Sequence, residues 1–234
     1  MIPARENDPY IAWRPAFPEP AFRPGSTGLL VIDMQRHSAD PAGPALRKLR
    51  AAGFADVADD FAARLERIVP NIRQLQECCR SVGVEVIHVR IVSMTEDGRD
   101  RGPSHKKLGH AAAPGSAAAE ILPELAPVGD ELVFGKTAGS VFCATNIEYV
   151  LRNLGISTLV VAGIVTTGCV HTAVTDAADR GFHVVLVEDG CGALLPEMHW
   201  ASIRILRDVY AKVMTTDEVV ERLRASPDDP AAAG

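Results

Sequence analysis

The chain has 234 residues, 47% of them hydrophobic and 23% charged, with a formal net charge of −6. That size suits one large domain with a real core, and an acidic chain without basic blocks interleaved with aromatics makes a poor nucleic-acid partner. No apolar run is long enough to span a membrane and no signal-like apolar segment opens the chain, so a cytoplasmic protein without a membrane partner is expected.

Residues 1–27 are rich in proline and aromatics (Tyr10, Trp13, Phe17, Phe22) and lack periodicity. They read as an extended arm over the domain or a neighbouring subunit. Residues 28–225 carry the domain, and 226–234 are expected to fray. Residues 28–33 (GLLVID) predict a buried strand ending in a carboxylate. Helical spacing of Phe61, Leu65, Ile68, Ile72 and Leu75 predicts a helix over 59–82, and 84–91 predicts a second strand. A long polar segment follows at 93–115, the kind of loop that often covers a substrate.

Beyond it come a strand at 131–134, a helix at 144–153 closed by Gly155, and a strand at 158–162. A helix at 170–180 closed by Gly181, a strand at 184–188 and a helix at 197–209 follow, then a last strand at 212–214 and helix at 217–224. Strands with continuous apolar runs alternate with helices, which predicts an α/β fold: a single doubly wound, six-stranded parallel sheet with helices on both faces. Ligands in that class bind beyond the carboxyl ends of the strands. Neither GxGxxG nor GxxxxGK[ST] follows the first strand, so nucleotide binding loses its main support.

The most informative stretch is Gly163-Ile164-Val165-Thr166-Thr167-Gly168-Cys169-Val170. It sets a cysteine between an apolar strand and a helix, where a helix N-terminus would lower the thiol pKa. Asp33 ends the first strand and Lys136 follows the third, so three chemically active side chains fall at three strand ends on one sheet edge. A thiol needs a base, and an ammonium beside it would stabilise both carboxylate and thiolate. Taken singly, each has an ordinary role: Asp33 a turn or cap residue, Lys136 a solvated lysine, Cys169 a small buried hydrophobe. The conjunction favours chemistry. Of the remaining cysteines, Cys78 and Cys79 read as helix packing and Cys143 and Cys191 as buried thiols. The odd count and the lack of a CxxC pair argue against disulfides and structural zinc.

The segments Leu30-Val31-Ile32-Asp33-Met34-Gln35, Lys136 with Ser140, Phe142 and Thr145, and the 163–170 turn resemble the isochorismatase-like cysteine hydrolases over residues 28–214. The resemblance implies a triad of Asp33, Lys136 and Cys169, with Cys169 as nucleophile and Asp33 as its base. It also implies a non-proline cis peptide at Ile164-Val165, an oxyanion hole from the Val165 and Cys169 backbone N–H groups, and a homo-oligomer, tetramer or dimer. Within the family, Thr166-Thr167-Gly168-Cys169-Val170 is similar to N-carbamoylsarcosine amidases. Phe142-Cys143-Ala144-Thr145 and the arm at Asp8-Pro9-Tyr10 are similar to biuret and ureidoacrylate hydrolases. The implied partner is a small-molecule amide, carbamoyl or ureido substrate, cleaved at a C–N bond through a thioester.

Nicotinamidase-type members carry an Asp and two His as metal ligands after the first strand, whereas His37 stands alone here and reads as an exposed loop residue. No metal and no other cofactor is therefore expected. A nicotinamidase-like amidase, a vinyl-ether hydrolase of the isochorismatase type and a non-catalytic binding member of the fold are the alternatives. Candidate substrate contacts are Gln35 beside the base, Arg90 at the end of strand two as a carboxylate clamp, Phe142 as a wall, and Thr166 and His171 flanking the nucleophile. His105, in the long loop, reads as solvated.

Overall fold

The computed structural model describes residues 3–109 and 112–225; the expected tail at 226–234 lies outside them. Six strands form one all-parallel sheet: β1 (Thr27–Ile32), β2 (Glu85–Ile91), β3 (Leu132–Lys136), β4 (Thr158–Ile164), β5 (His183–Gly192) and β6 (Lys212–Met214), in the order β3-β2-β1-β4-β5-β6. Every residue of β1 and β4 is buried, as a parallel sheet covered on both faces requires. Successive side chains of β1 serve opposite layers: Leu29 and Val31 join one core, Leu30 and Ile32 the other.

The first core is closed by α3 (Ala55–Ser81) through Phe61, Leu65, Ile68, Ile72 and Leu75, and by α9 (Thr216–Ala225) through Val219 and Leu223. The second lies under α5 (Val141–Ala144), α6 (Ile147–Asn153), α7 (His171–Asp179) and α8 (Pro196–Leu206). The helix expected over 144–153 is split because the Thr145 hydroxyl donates to the Val141 carbonyl and accepts from the Ile147 N–H. One side chain thus ends α5 and starts α6.

Three helices lie where the sequence predicted no element: α1 (Arg36–Ala39), α2 (Pro44–Ala51) and α4 (Pro103–Leu108). The last interrupts the long polar segment, and His105 on it is buried rather than solvated. The N-terminal arm packs on its own domain. Asp8, fully buried, accepts from Arg204 of α8 at 2.8 and 3.0 Å and from Arg207 at 3.0 Å. Ile11 and Phe22 are buried as well. Cys143 is exposed, not buried, because α5 turns it away from the core that holds Phe142.

The chain order reverses between β1 and β4. From this switch point the sheet grows outward on one side through β2 and β3, and on the other through β5 and β6. A crevice opens there by topology alone.

Candidate active site

Asp33 follows β1 at that switch point in the left-handed backbone region, φ 55°, which costs a non-glycine residue energy and is tolerated best by Asp and Asn. Its N–H donates to the Val89 carbonyl at 2.8 Å, fixing the turn to β2. Lys136 is the last residue of β3, two strands away, and its long stem crosses β2 to reach the same point. The ammonium donates to Asp33 Oδ2 at 2.9 Å, to Cys169 Sγ at 3.1 Å and to the Ala138 carbonyl at 3.2 Å. All three of its donors are used. Lys136 and Asp33 are 1% and 2% exposed, so the pair is desolvated and held by mutual compensation.

Cys169 lies in a π-helical turn, Thr166–Val170, that leads into α7. Within it the Gly168 and Val170 N–H groups both donate to the Val165 carbonyl, at 2.9 and 3.3 Å. The preceding Ile164–Val165 peptide bond is cis. Gly163 is required just before it: its φ is +125°, and a Cβ there would collide with the backbone of Ile32 on the neighbouring strand.

The electrostatics differ from the sequence expectation. Burial pushes the Cys169 thiol up to about 12, the Asp33 carboxylate adds to the rise, and Lys136 only partly offsets it. A depressed pKa at a helix N-terminus is not what this site provides, because the thiol is buried and lies beside a carboxylate. Burial pulls Lys136 down, but the Asp33 carboxylate and the Cys169 sulfur outweigh it and leave the ammonium raised. The resting site is thus a neutral thiol beside an ion pair. Asp33 Oδ1 is buried and accepts no hydrogen bond from the described residues, so it is an acceptor left open in the site.

A cavity of about 580 Å³ opens over this cluster and is lined by Asp33, Cys169, Ile164 and Val165 at its base. Its walls come from α1, α2, the start of α3, the end of α4 and the segment after β5. None of the five expected substrate contacts lines it. Gln35 is fully buried, with its amide donating to the Ile91 and Ala118 carbonyls at 2.9 and 3.0 Å and accepting from the Ile91 N–H, so it ties β1 to β2. Arg90 donates to the Ala119 carbonyl at 2.9 Å. Phe142 packs in the core against Phe182, ring centroids 5.9 Å apart.

Thr166 and His171 brace the nucleophile turn instead of facing substrate. Thr166 Oγ1 shares a 2.8 Å hydrogen bond with His199 Nδ1, and the Ser202 hydroxyl donates to the Thr166 carbonyl at 2.9 Å. With its proton spent there, Ser202 accepts from His171 Nδ1 at 2.7 Å, which assigns the His171 tautomer. His37, expected in an exposed loop, is buried on α1, lines the cavity and bonds Ser38 Oγ through Nδ1 at 3.0 Å. Among the described residues, no three His, Cys, Asp or Glu side chains cluster closely enough to hold a metal ion.

Sequence reasoning missed His199 and Ser202, and it missed the cavity wall on α2. The only available signals for α2 were Pro44 at a helix start and the Leu46, Leu49 spacing, too short a pattern to stand out.

A family model described as the isochorismatase domain matches residues 27–218. The chain is 30% identical over 168 residues to the N-carbamoylsarcosine amidase of an Arthrobacter species, an alignment covering 70% of this chain and 64% of that protein. It thus spans just under two thirds of that relative's length. It is 29% identical over 222 residues to the ureidoacrylate amidohydrolase RutB of Rhizobium rhizogenes, covering 87% of this chain and 86% of that one. In fold it is similar to a crystal structure of a cysteine hydrolase from Pseudomonas syringae pv. phaseolicola, with a TM-score of 0.77 at 24% identity over 92% of this chain and all of the other. With a match spanning most of its length and amidohydrolases among its relatives, the chain belongs to the isochorismatase family of hydrolases.

Proposed function

We propose that this protein is an amidohydrolase that cleaves the C–N bond of a small linear amide, carbamoyl or ureido compound, with Cys169 as nucleophile. The observation that carries this reading is the Lys136 ammonium, within 2.9 Å of Asp33 Oδ2 and 3.1 Å of Cys169 Sγ at the base of a cavity. The high thiol pKa dictates the order of events. As the thiol attacks the carbonyl carbon, its proton passes to Asp33 and the carbonyl oxygen becomes an oxyanion, met by the Val165 and Cys169 N–H groups. The intermediate collapses to a thioester as the C–N bond breaks and Asp33 returns the proton to the leaving nitrogen. Water then loses a proton to Asp33 and attacks the thioester. The acid leaves, and the sulfur recovers its proton.

Lys136 stays an ammonium throughout. It holds Asp33 in place and offsets the negative charge that moves between carboxylate and sulfur. The test is ammonia release from a panel of carbamoyl amino acids, ureidoacrylate, biuret and simple primary amides. Activity in the wild type that is lost in a folded Cys169→Ala variant supports the reading. Full hydrolysis by Cys169→Ala overturns it.

A further inference from the structure

The walls of the cavity are unlike its base. Above Asp33 and Cys169 they are mostly apolar, with Leu46, Leu49, Phe61, Leu108 and Leu194, and His37 and Ser38 of α1 add an imidazole and a hydroxyl that already bond each other. Among the described residues, no arginine lines the cavity. The one lysine that does is Lys48, whose ammonium already donates to the Leu108 carbonyl at 2.8 Å, tying α2 to the end of α4. Lys136 does not reach the wall, since its three donors are committed at the base. Arg90, expected as a carboxylate clamp, donates to the Ala119 carbonyl instead.

Building on the proposed amide hydrolysis, we infer that the substrate is an amide or urea whose body beyond the scissile group is apolar and carries no carboxylate. An anion carried into this cavity would lose its hydration against leucine and phenylalanine side chains with no bidentate partner to replace the water. It would also lie near the Asp33 carboxylate, of like charge. An alkyl or aryl body instead gains from leaving water on the same walls. A single amide group would be oriented at the Asp33 and Cys169 end, and along the walls apolar side chains outnumber the polar His37, Ser38 and Lys48. This selects the opposite class from ureidoacrylate, the substrate in the name of one relative, whose carboxylate needs a cation.

The experiment uses two matched pairs on the full chain. Hydrolysis of hexanamide is compared with that of adipamic acid, the same chain ended by a carboxylate. Alkylation of Cys169 by N-(2-phenylethyl)chloroacetamide is compared with that by N-chloroacetylphenylalanine, followed by intact mass and normalised to each reagent's rate with glutathione. The apolar member is expected to win by at least about tenfold in both kcat/KM and labelling rate, and Lys48→Met is expected to leave that preference unchanged. Equal or faster reaction of the carboxylated members, lost in Lys48→Met, would overturn the inference while leaving amide hydrolysis intact. Preferential labelling by the apolar reagent with no hydrolysis of either amide would support the apolar preference and count against the hydrolytic reading alone.

Discussion

Lys136 reaches across the width of a strand to donate to Asp33 Oδ2 at 2.9 Å, and neither side chain has water to fall back on. The pair belongs to two strands that are not neighbours, so it fastens the ends of β1 and β3 over β2. Removing one partner leaves the other charge buried and uncompensated, a cost of about 3–5 kcal/mol. Lys136→Met is therefore expected to lower unfolding free energy by that order and to abolish hydrolysis. Lys136→Met combined with Asp33→Asn is expected to regain much of the stability and none of the activity. Urea denaturation of the two single variants and the double variant checks this as a double-mutant cycle.

The thiol itself gives a second prediction. Its pKa rises from 9.0 in the unfolded chain to about 12 in the native protein. The native state therefore holds the proton more tightly, and its advantage is fully present below pH 9 and lost as pH climbs towards 12. Thiolate absorbance near 240 nm, taken as wild type minus Cys169→Ala, should stay flat up to about pH 10. A thiolate signal titrating between pH 6 and 8 would show a pre-formed nucleophile and contradict Asp33 as the base.

The brace under the nucleophile turn responds to acid. Burial, with Arg64 adding to it, lowers His199 to about 4. An unfolded histidine takes its proton near 6.5, so the native state loses ground as pH falls from about 6.5 to 4, by up to about 3 kcal/mol. Burial raises Glu131, but hydrogen bonds from Arg80, the Val128 N–H and His88, with the Arg80 charge, together outweigh it and bring it to about 2, so its contribution fades at lower pH, between 4.5 and 2. His199→Gln should flatten the stability curve in the upper window only. It should also slow hydrolysis more than it weakens substrate binding, because His199 acts through Thr166 and the turn. Thermal unfolding across pH 4–7 and a kcat against KM comparison test both statements.

The arm offers a local test. Asp8 gathers Arg204 and Arg207 and is the buried polar anchor of residues 3–26, beside the more exposed Arg5–Asp208 and Glu19–Lys212 pairs. Asp8→Ala should free the arm to brief chymotryptic cleavage at Tyr10 and Trp13 while the folded domain resists. Equal resistance in wild type and variant would show that Ile11 and Phe22 hold the arm without it.

The sheet was readable in the sequence because its strands are buried on both faces and carry unbroken apolar runs. The three strand-end residues were readable because a doubly wound sheet puts its carboxyl edge in one place. What the sequence hid has physical causes. β5 runs through Asp189 and Gly190 to Gly192, residues that look like a stop, because pairing of Cys191 and Gly192 with β4 across a register shift overrides local preference. Gln35 looked like a substrate contact from its place beside the base, but nothing local shows that its amide is consumed by Ile91 and Ala118, far away in sequence. The rise in the Cys169 pKa depends on how deeply the thiol is covered and on the carboxylate beside it, both set by tertiary packing. The cavity wall on α2 escaped notice because a helix of two turns with one buried residue leaves almost no periodic trace.

A covalent acyl-enzyme on Cys169, made with Asp33 as the proton carrier, is open to mass spectrometry of the intact protein, quenched in acid during turnover of a hydrolysed amide. The expected result is an adduct equal to the substrate less its leaving amine, mapped by peptide digestion to Cys169 and absent in Cys169→Ala. Turnover without any adduct, together with ammonia release by Cys169→Ala at the wild-type rate, would contradict it.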